Sequence, residues 1–222
     1  MHRFRYKLNL KKIEMKTGKV IIQIVLALTI IVLCYVLVNE IAKPVRFAQT
    51  KNSRESAIIE RLKDIRTAQR AYKQVHQKYT GSFDTLVNFV LTESLPFKKS
   101  IGSKDDSLAV AKGLVKEEVF YVPVIDTIFS PKKLLPEQIR SFEFIPHGLN
   151  NAKFYLDAGM FTTESKVVVP VFEARAPYKL YLGDLDPQEL RNLVDDREKL
   201  DKYPGLKVGA LDKATNDEGN WE

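Results

Sequence analysis

At 222 residues, with 45% hydrophobic and 28% charged side chains, the chain holds material for one domain of ordinary size. Ten glycines, ten prolines and a single cysteine exclude collagen-like, low-complexity and disulfide-scaffold classes. The net charge of +7 belongs to one end: residues 1–19 carry seven basic side chains against Glu14, and residues 20–222 carry 28 basic and 27 acidic ones, so nucleic acid has no electrostatic handle and is excluded as a partner.

After the basic tail, residues 20–38 read VIIQIVLALTIIVLCYVLV, a run without charge in which fourteen residues are Leu, Ile or Val. Lys19 and Glu40 bracket it, and about 20 residues of helix span roughly the 30 Å of a bilayer's hydrocarbon. Fourteen aliphatics at the helix centre favour insertion by roughly 4 to 8 kcal/mol. A buried core helix and a cleaved signal peptide are the competing readings. The following VLVNEIAKP offers no small-x-small cleavage site, which favours a retained anchor. Seven Lys/Arg before the span place the N-terminus in the cytoplasm, so the rest belongs outside the inner membrane, in the periplasm. Gln23 and Thr29 are candidate interhelix hydrogen-bonders, worth about 0.6 to 2 kcal/mol each. Cys34 lies within the run, so the exported part has no thiol, which fits export and excludes thiol catalysis there.

Beyond the span, Ile58, Leu62, Ile65, Ala68, Tyr72, Val75 and Tyr79 recur at steps of four and three, one apolar stripe on a helix with Arg61, Lys63, Asp64, Arg66, Arg70 and Lys73 mostly off it. Asn52 with Glu55 could form a capping box that starts a separate helix; the other reading, which we favour, is one helix running on from the membrane with a kink at Pro44. Thr80 and Gly81 break it, and Ser82 can cap a short helix carrying Phe83, Leu86, Val87, Phe89 and Val90. Residues 97–114 give a poor signal around a weak helix, SLAVAKGLV (residues 107–115). Strand-like runs follow at residues 119–125 (VFYVPVI), 141–145 (SFEFI), 153–156 (KFYL), 166–173 (KVVVPVFE) and 178–182 (YKLYL). Pro123 and Pro170 each remove a ladder donor, which predicts edges or bulges there. Asp186-Pro187-Gln188-Glu189 marks a further helix start, with Leu190, Leu193, Val194 and Leu200 on one face. The layout is α+β: basic tail 1–19, transmembrane helix 20–39, amphipathic stalk helix 40–79 and exported head 80–222, with the long helix laid on a C-terminal antiparallel sheet.

Chemistry is sparse. His2, His76 and His147 read as surface or core residues, and no G-x-S-x-G, HExxH, P-loop or GxGxxG occurs. Asp105-Asp106 and Asp195-Asp196 are neighbours whose side chains diverge on any regular element, so they read as solvated faces; Lys98-Lys99 and Lys132-Lys133 are similarly bland. These features point to a non-enzymatic protein. An exported enzyme would need a concave pocket with a perturbed acid or base within residues 97–180.

Two stretches carry a resemblance. RTAQRAYKQVHQKYTGSFDTL (residues 66–86) looks like a tyrosine-bearing stalk end that runs into a "G-x-Y-P-T" turn and a short helix. VGALDKATNDEGNWE (residues 208–222) is similar to a loop that runs from "LGADG" to "ADIxNW". With the basic leader, the apolar helix and the small α+β head, the chain resembles the type IV pilin and pseudopilin superfamily, nearest to major pseudopilins of type II secretion. The resemblance covers a third to half of the chain and implies a structural subunit of a secretion or surface-filament system, in contact with the bilayer and with copies of itself or other envelope proteins. It also implies calcium as a cofactor in the C-terminal loop, with Asp212 and Asp217 matching the loop's aspartates and Glu218 as an added oxygen ligand; a solvated acidic turn is the other reading of these residues. The family's leader is cut after a glycine, usually before Phe or Met, whereas Gly18 here precedes Lys19. Gln23 stands where the family carries a glutamate. A membrane-tethered binding or scaffold domain that forms no filament is the alternative function.

Overall fold

The computed structural model describes residues 2–101 and 116–222, with side chains described at residues 19–97 and 119–222. The expected weak helix at residues 107–115 and the Asp105-Asp106 pair lie outside the described residues, as do the side chains of Lys98 and Lys99 and of the basic tail up to Gly18. The chain divides into two compact units, residues 1–50 and 51–222.

The first unit is built from helix α1, which spans His2–His76 without interruption and contains Pro44. The reading with a separate helix starting near Asn52 is thereby set aside. From Lys19 onward α1 is the one helix among the described residues long and apolar enough to cross a membrane by length and composition, and none of its most apolar window is buried. Fourteen Leu, Ile and Val side chains held out of contact with protein are unfavourable in water by the ordinary transfer scale and favourable in hydrocarbon.

The second unit runs from Lys51, so it takes in the later turns of α1 together with residues 80–222. Ile58, Leu62, Ile65 and Ala68 are fully buried and Tyr72 nearly so, which is the predicted stripe. Val75 departs from it, 37% exposed on the last turn, just before Gln77 takes a left-handed conformation (φ 58°) beyond the end of the helix. Tyr79, beyond that end, is buried again and lies 4.8 Å from the Phe172 ring.

Helix α2, Phe83–Thr92, starts where Ser82 accepts a hydrogen bond from the Thr85 amide, and buries Leu86, Phe89 and Val90. Phe89 meets Tyr72 edge-on at 5.2 Å, tying α2 to α1. Strands β1 (Ser94–Ile101) and β2 (Lys116–Pro123) pair antiparallel in a two-stranded sheet. Phe97 and Phe120 face each other in register and stack at 5.8 Å, both substantially exposed. Pro123 ends β2, and helix α3 (Val124–Ile128) takes over part of the run expected as strand. Helix α4 (Pro136–Arg140) follows.

Residues 141–145 were expected as a strand, and the structure corrects this; of the expected strand 153–156, Tyr155 and Leu156 open strand β3 (Tyr155–Thr162) and the two residues before them do not belong to it. The two stretches touch through one isolated bridge, Phe144 to Lys153, flanked by hydrogen bonds from the Ile145 amide to the Ala152 carbonyl (2.9 Å) and from the Phe154 amide to the Glu143 carbonyl (2.8 Å). Strands β3 (Tyr155–Thr162), β4 (Val168–Pro177) and β5 (Gly205–Gly209) form the antiparallel sheet in the order β3-β4-β5. β5 pairs only with Glu173–Pro177, so Pro170 sits where β4 has one neighbour strand and its missing N–H interrupts nothing on the open side. One face carries Leu156, Phe172, Ala174, Ala176, Leu206 and Val208, all buried; the other carries Asp157, Glu173, Arg175 and Lys207. The period-two alternation of β4 and β5 thus separates a core face from a charged one.

The run YKLYL, expected as a strand, is helix α5 (Tyr178–Leu182). Tyr178, Tyr181 and Leu182, at i, i+3 and i+4, are its buried residues, and five residues alone cannot separate that period from a period of two. Helix α6 (Pro187–Glu198) starts as predicted, with the Asp186 carboxylate accepting from the Gln188 and Glu189 amides at 2.9 and 3.1 Å. None of its residues is buried; Leu190, Leu193 and Val194 are half-buried and Leu200, beyond its end, is exposed, so it is a surface helix.

Candidate functional site

The basic side chains set off the apolar stripe of α1 are what hold the head's loops. Arg54 donates to both carboxylate oxygens of Asp184 at 2.6 and 2.7 Å and to the Tyr181 carbonyl, so one guanidinium fixes the end of α5. Its hydrogen bond holds the Asp184 carboxyl below the usual carboxylate range. Seven residues on, Arg61 donates to the Ser141 carbonyl at 2.7 Å and lies over the Phe142 ring; burial lowers its basicity. Lys132, an exposed residue as expected, bridges Asp64 (2.5 Å) and Glu60 (3.1 Å) and so ties its loop to α1. Burial raises the Asp64 carboxyl, against the pull of the Lys132 hydrogen bond.

The C-terminal segment, residues 210–222, forms the most heavily bonded of these junctions. Gly209, the last residue of β5, turns the chain at φ 72°, and a Cβ there would lie 2.2 Å from the Phe172 carbonyl oxygen, so only glycine fits. The Gly209 amide donates to the Glu218 carbonyl, Val208 bridges Gly219, and the Asn220 side chain pairs with the Lys207 amide and the Gly205 carbonyl, folding the segment back on β5. On the other side it meets α1. Arg70 Nε donates to Asp217 Oδ2 at 3.0 Å and Arg70 Nη2 to the Asn216 carbonyl at 2.8 Å. Arg66 Nη1 donates to the Asp217 carbonyl (3.2 Å) and to Glu222 Oε1 (2.8 Å), which holds Glu222 below the usual carboxylate range. The Tyr79 hydroxyl also donates to Asp217 Oδ2, at 2.8 Å, and burial above all, with that carboxylate second, pushes its own ionisation far up. A small recess of about 260 Å³ beside this junction is lined by Lys73, Tyr79, Val171, Ala210 and Asp217.

Of the residues expected to hold calcium, Asp217 is half-buried inside this network, while Asp212 and Glu218 are exposed. No group of three His, Cys, Asp or Glu side chains converges as a metal would need among the described residues. As arranged, the donors do not fit calcium: six to eight oxygens are required at about 2.3 to 2.6 Å, and Asp217 Oδ2 already accepts from a guanidinium and a hydroxyl.

In α1, Gln23 and Thr29 are both exposed, and the Thr29 hydroxyl donates to the Val25 carbonyl of its own helix at 2.9 Å. Its proton is therefore engaged within its own helix. His76 packs on the Tyr72 ring and lies 3.3 Å from Glu93; His147, Asp195 and Asp196 are exposed. Sequence reading placed the arginines only as the polar flank of a helix. Their regular placement, Arg54 to Arg61 at seven residues and Arg66 to Arg70 at four, was the available signal that they form contact rows. Comparison of the chain with family models, with curated proteins and with solved structures finds no match.

Proposed function

We propose that the chain is a non-enzymatic, single-pass envelope protein of pilin-like build, a structural subunit or assembly partner of a secretion or surface-filament system. Residues 1–19 remain in the cytoplasm and the α+β head lies on the periplasmic side of the inner membrane. The observation that supports this reading is the double use of α1, which supplies an unburied apolar run at residues 20–38 and, further along, the buried Ile58, Leu62 and Ile65 of the head. An anchor whose own helix is the spine of its head fixes the folded domain to the bilayer and leaves the apolar run free to exchange lipid for a neighbouring helix. Gln23 carries an amide that both donates and accepts, so it suits side-by-side association of copies. It cannot neutralise a neighbour's ammonium as a carboxylate does.

The test is a single-cysteine scan through residues 20–38 in a Cys34→Ser background, with oxidation in native membranes. Cross-linked copies recurring about every three to four residues are expected, the period of one helix face against another. Monomer at every position contradicts self-assembly. A membrane-tethered scaffold that forms no filament is the second reading, favoured by Gln23 and by Lys19 after Gly18. The N-terminus of the purified protein separates the two: Lys19 exposed by cleavage supports the pilin-like subunit, and Met1 retained supports the tether.

A further inference from the structure

The C-terminal segment closes on α1 through acceptors of the kind a cation would use. The Asp217 carboxylate, the Asn216 carbonyl, the Asp217 carbonyl and the Glu222 carboxylate all point at two guanidinium groups one helical turn apart. We propose that Arg66 and Arg70 are a built-in latch for residues 210–222, filling with protein charge the place that a bound calcium ion would fill, so that docking of the segment is independent of metal.

The geometry supports this in three ways. Each guanidinium is shared between a carboxylate and a backbone carbonyl, so the planar fork satisfies two acceptors at once and fixes the backbone as well as the side chain. The Tyr79 hydroxyl fills the same Asp217 oxygen from a third direction. A dication bound at Asp217 Oδ2 would have to displace the Arg70 guanidinium and the Tyr79 proton, and the loop's other two carboxylates, Asp212 and Glu218, are exposed. The segment also carries its own reporter: Trp221, the only tryptophan of the chain, is half-buried there, with its indole nitrogen out of contact with solvent.

The experiment uses the full-length chain in detergent micelles, following Trp221 emission, thermal unfolding and release of C-terminal residues by carboxypeptidase. Wild-type protein is expected to give the same emission and melting temperature in about 5 mM calcium chloride as in EDTA, a concentration above the dissociation constants of weak extracellular sites. Arg66→Ala and Arg70→Ala are expected to shift Trp221 emission to the red and to speed carboxypeptidase release at least several-fold, with Arg70→Lys between them and wild type. A calcium-dependent blue shift or rise in melting temperature of the wild type overturns the proposal, and this arm needs no variant to fold. Wild-type emission and release rates in the Arg66→Ala, Arg70→Ala double variant overturn it equally.

Discussion

Single residues decide how the head's loops are closed. Gln69 is completely buried, and its amide donates to the Thr80 carbonyl at 2.6 Å and accepts from the Thr80 amide at 3.1 Å, sealing the turn after α1. Gln69→Leu keeps the volume and strands both backbone groups, so a loss of about 1 to 3 kcal/mol in chemical denaturation is expected. Gly209→Ala forces a side chain into the Phe172 carbonyl at a positive φ, and a cost above about 2 kcal/mol is expected by the same measurement. Acid sensitivity has a defined sign. The folded Asp184 carboxyl lies below the unfolded value of about 4 because Arg54 donates to it, so its contribution is whole above that value and lost as the pH falls through the folded one. Asp184→Asn should therefore melt below wild type at pH 7 and converge with it in acid. The difference should stay under about 1 kcal/mol, since Asp184 is 40% exposed. Of these three residues, Gln69 and Gly209 lie in the two stretches that carry the resemblance, yet neither stretch announced what its residue does. Gln69 and Asp184 act through partners more than ten residues distant, and no local pattern encodes such a pairing.

At the level of elements, long amphipathic patterns and capping signals were legible, and short apolar runs were not. The α1 stripe and the caps Ser82 and Asp186 follow from local chemistry: apolar spacing near 3.6 residues, and side-chain oxygens placed to accept the first free amides. Leu62→Ala or Ile65→Ala removes a fully buried side chain and should cost about 2 to 5 kcal/mol in denaturant unfolding, whereas Val75→Ala, on the exposed last turn, should cost under about 1. YKLYL and SFEFI contain the residues strands prefer, yet Tyr178 follows Pro177 into a helical turn and Phe142 is buried beneath the Arg61 guanidinium. In both, tertiary burial overrides β propensity, which expresses fit to a pleated surface more than a backbone preference.

On the scale of the whole molecule, one helix carries two apolar surfaces, one uncovered and one buried. Its first part presents Val, Ile and Leu side chains that protein leaves uncovered, and its later part buries the same residue types within the head. That division was readable because composition and charge mark it, not tertiary contact: about 20 uncharged residues between Lys19 and Glu40 have the length a bilayer requires. The extent of the head was less readable, since the last turns of α1 count as head only once the loops that their arginines hold are in place. Placing the head outside and the tail inside is the claim on which the proposed role depends. Its most direct test is protease digestion of sealed right-side-out and inverted membrane vesicles, probed separately for residues 1–19 and for the head. The account predicts that the head is cleaved only in right-side-out vesicles and the tail, on chains that retain it, only in inverted ones. A head protected from outside, or full-length protein in the soluble fraction after gentle lysis, would contradict it.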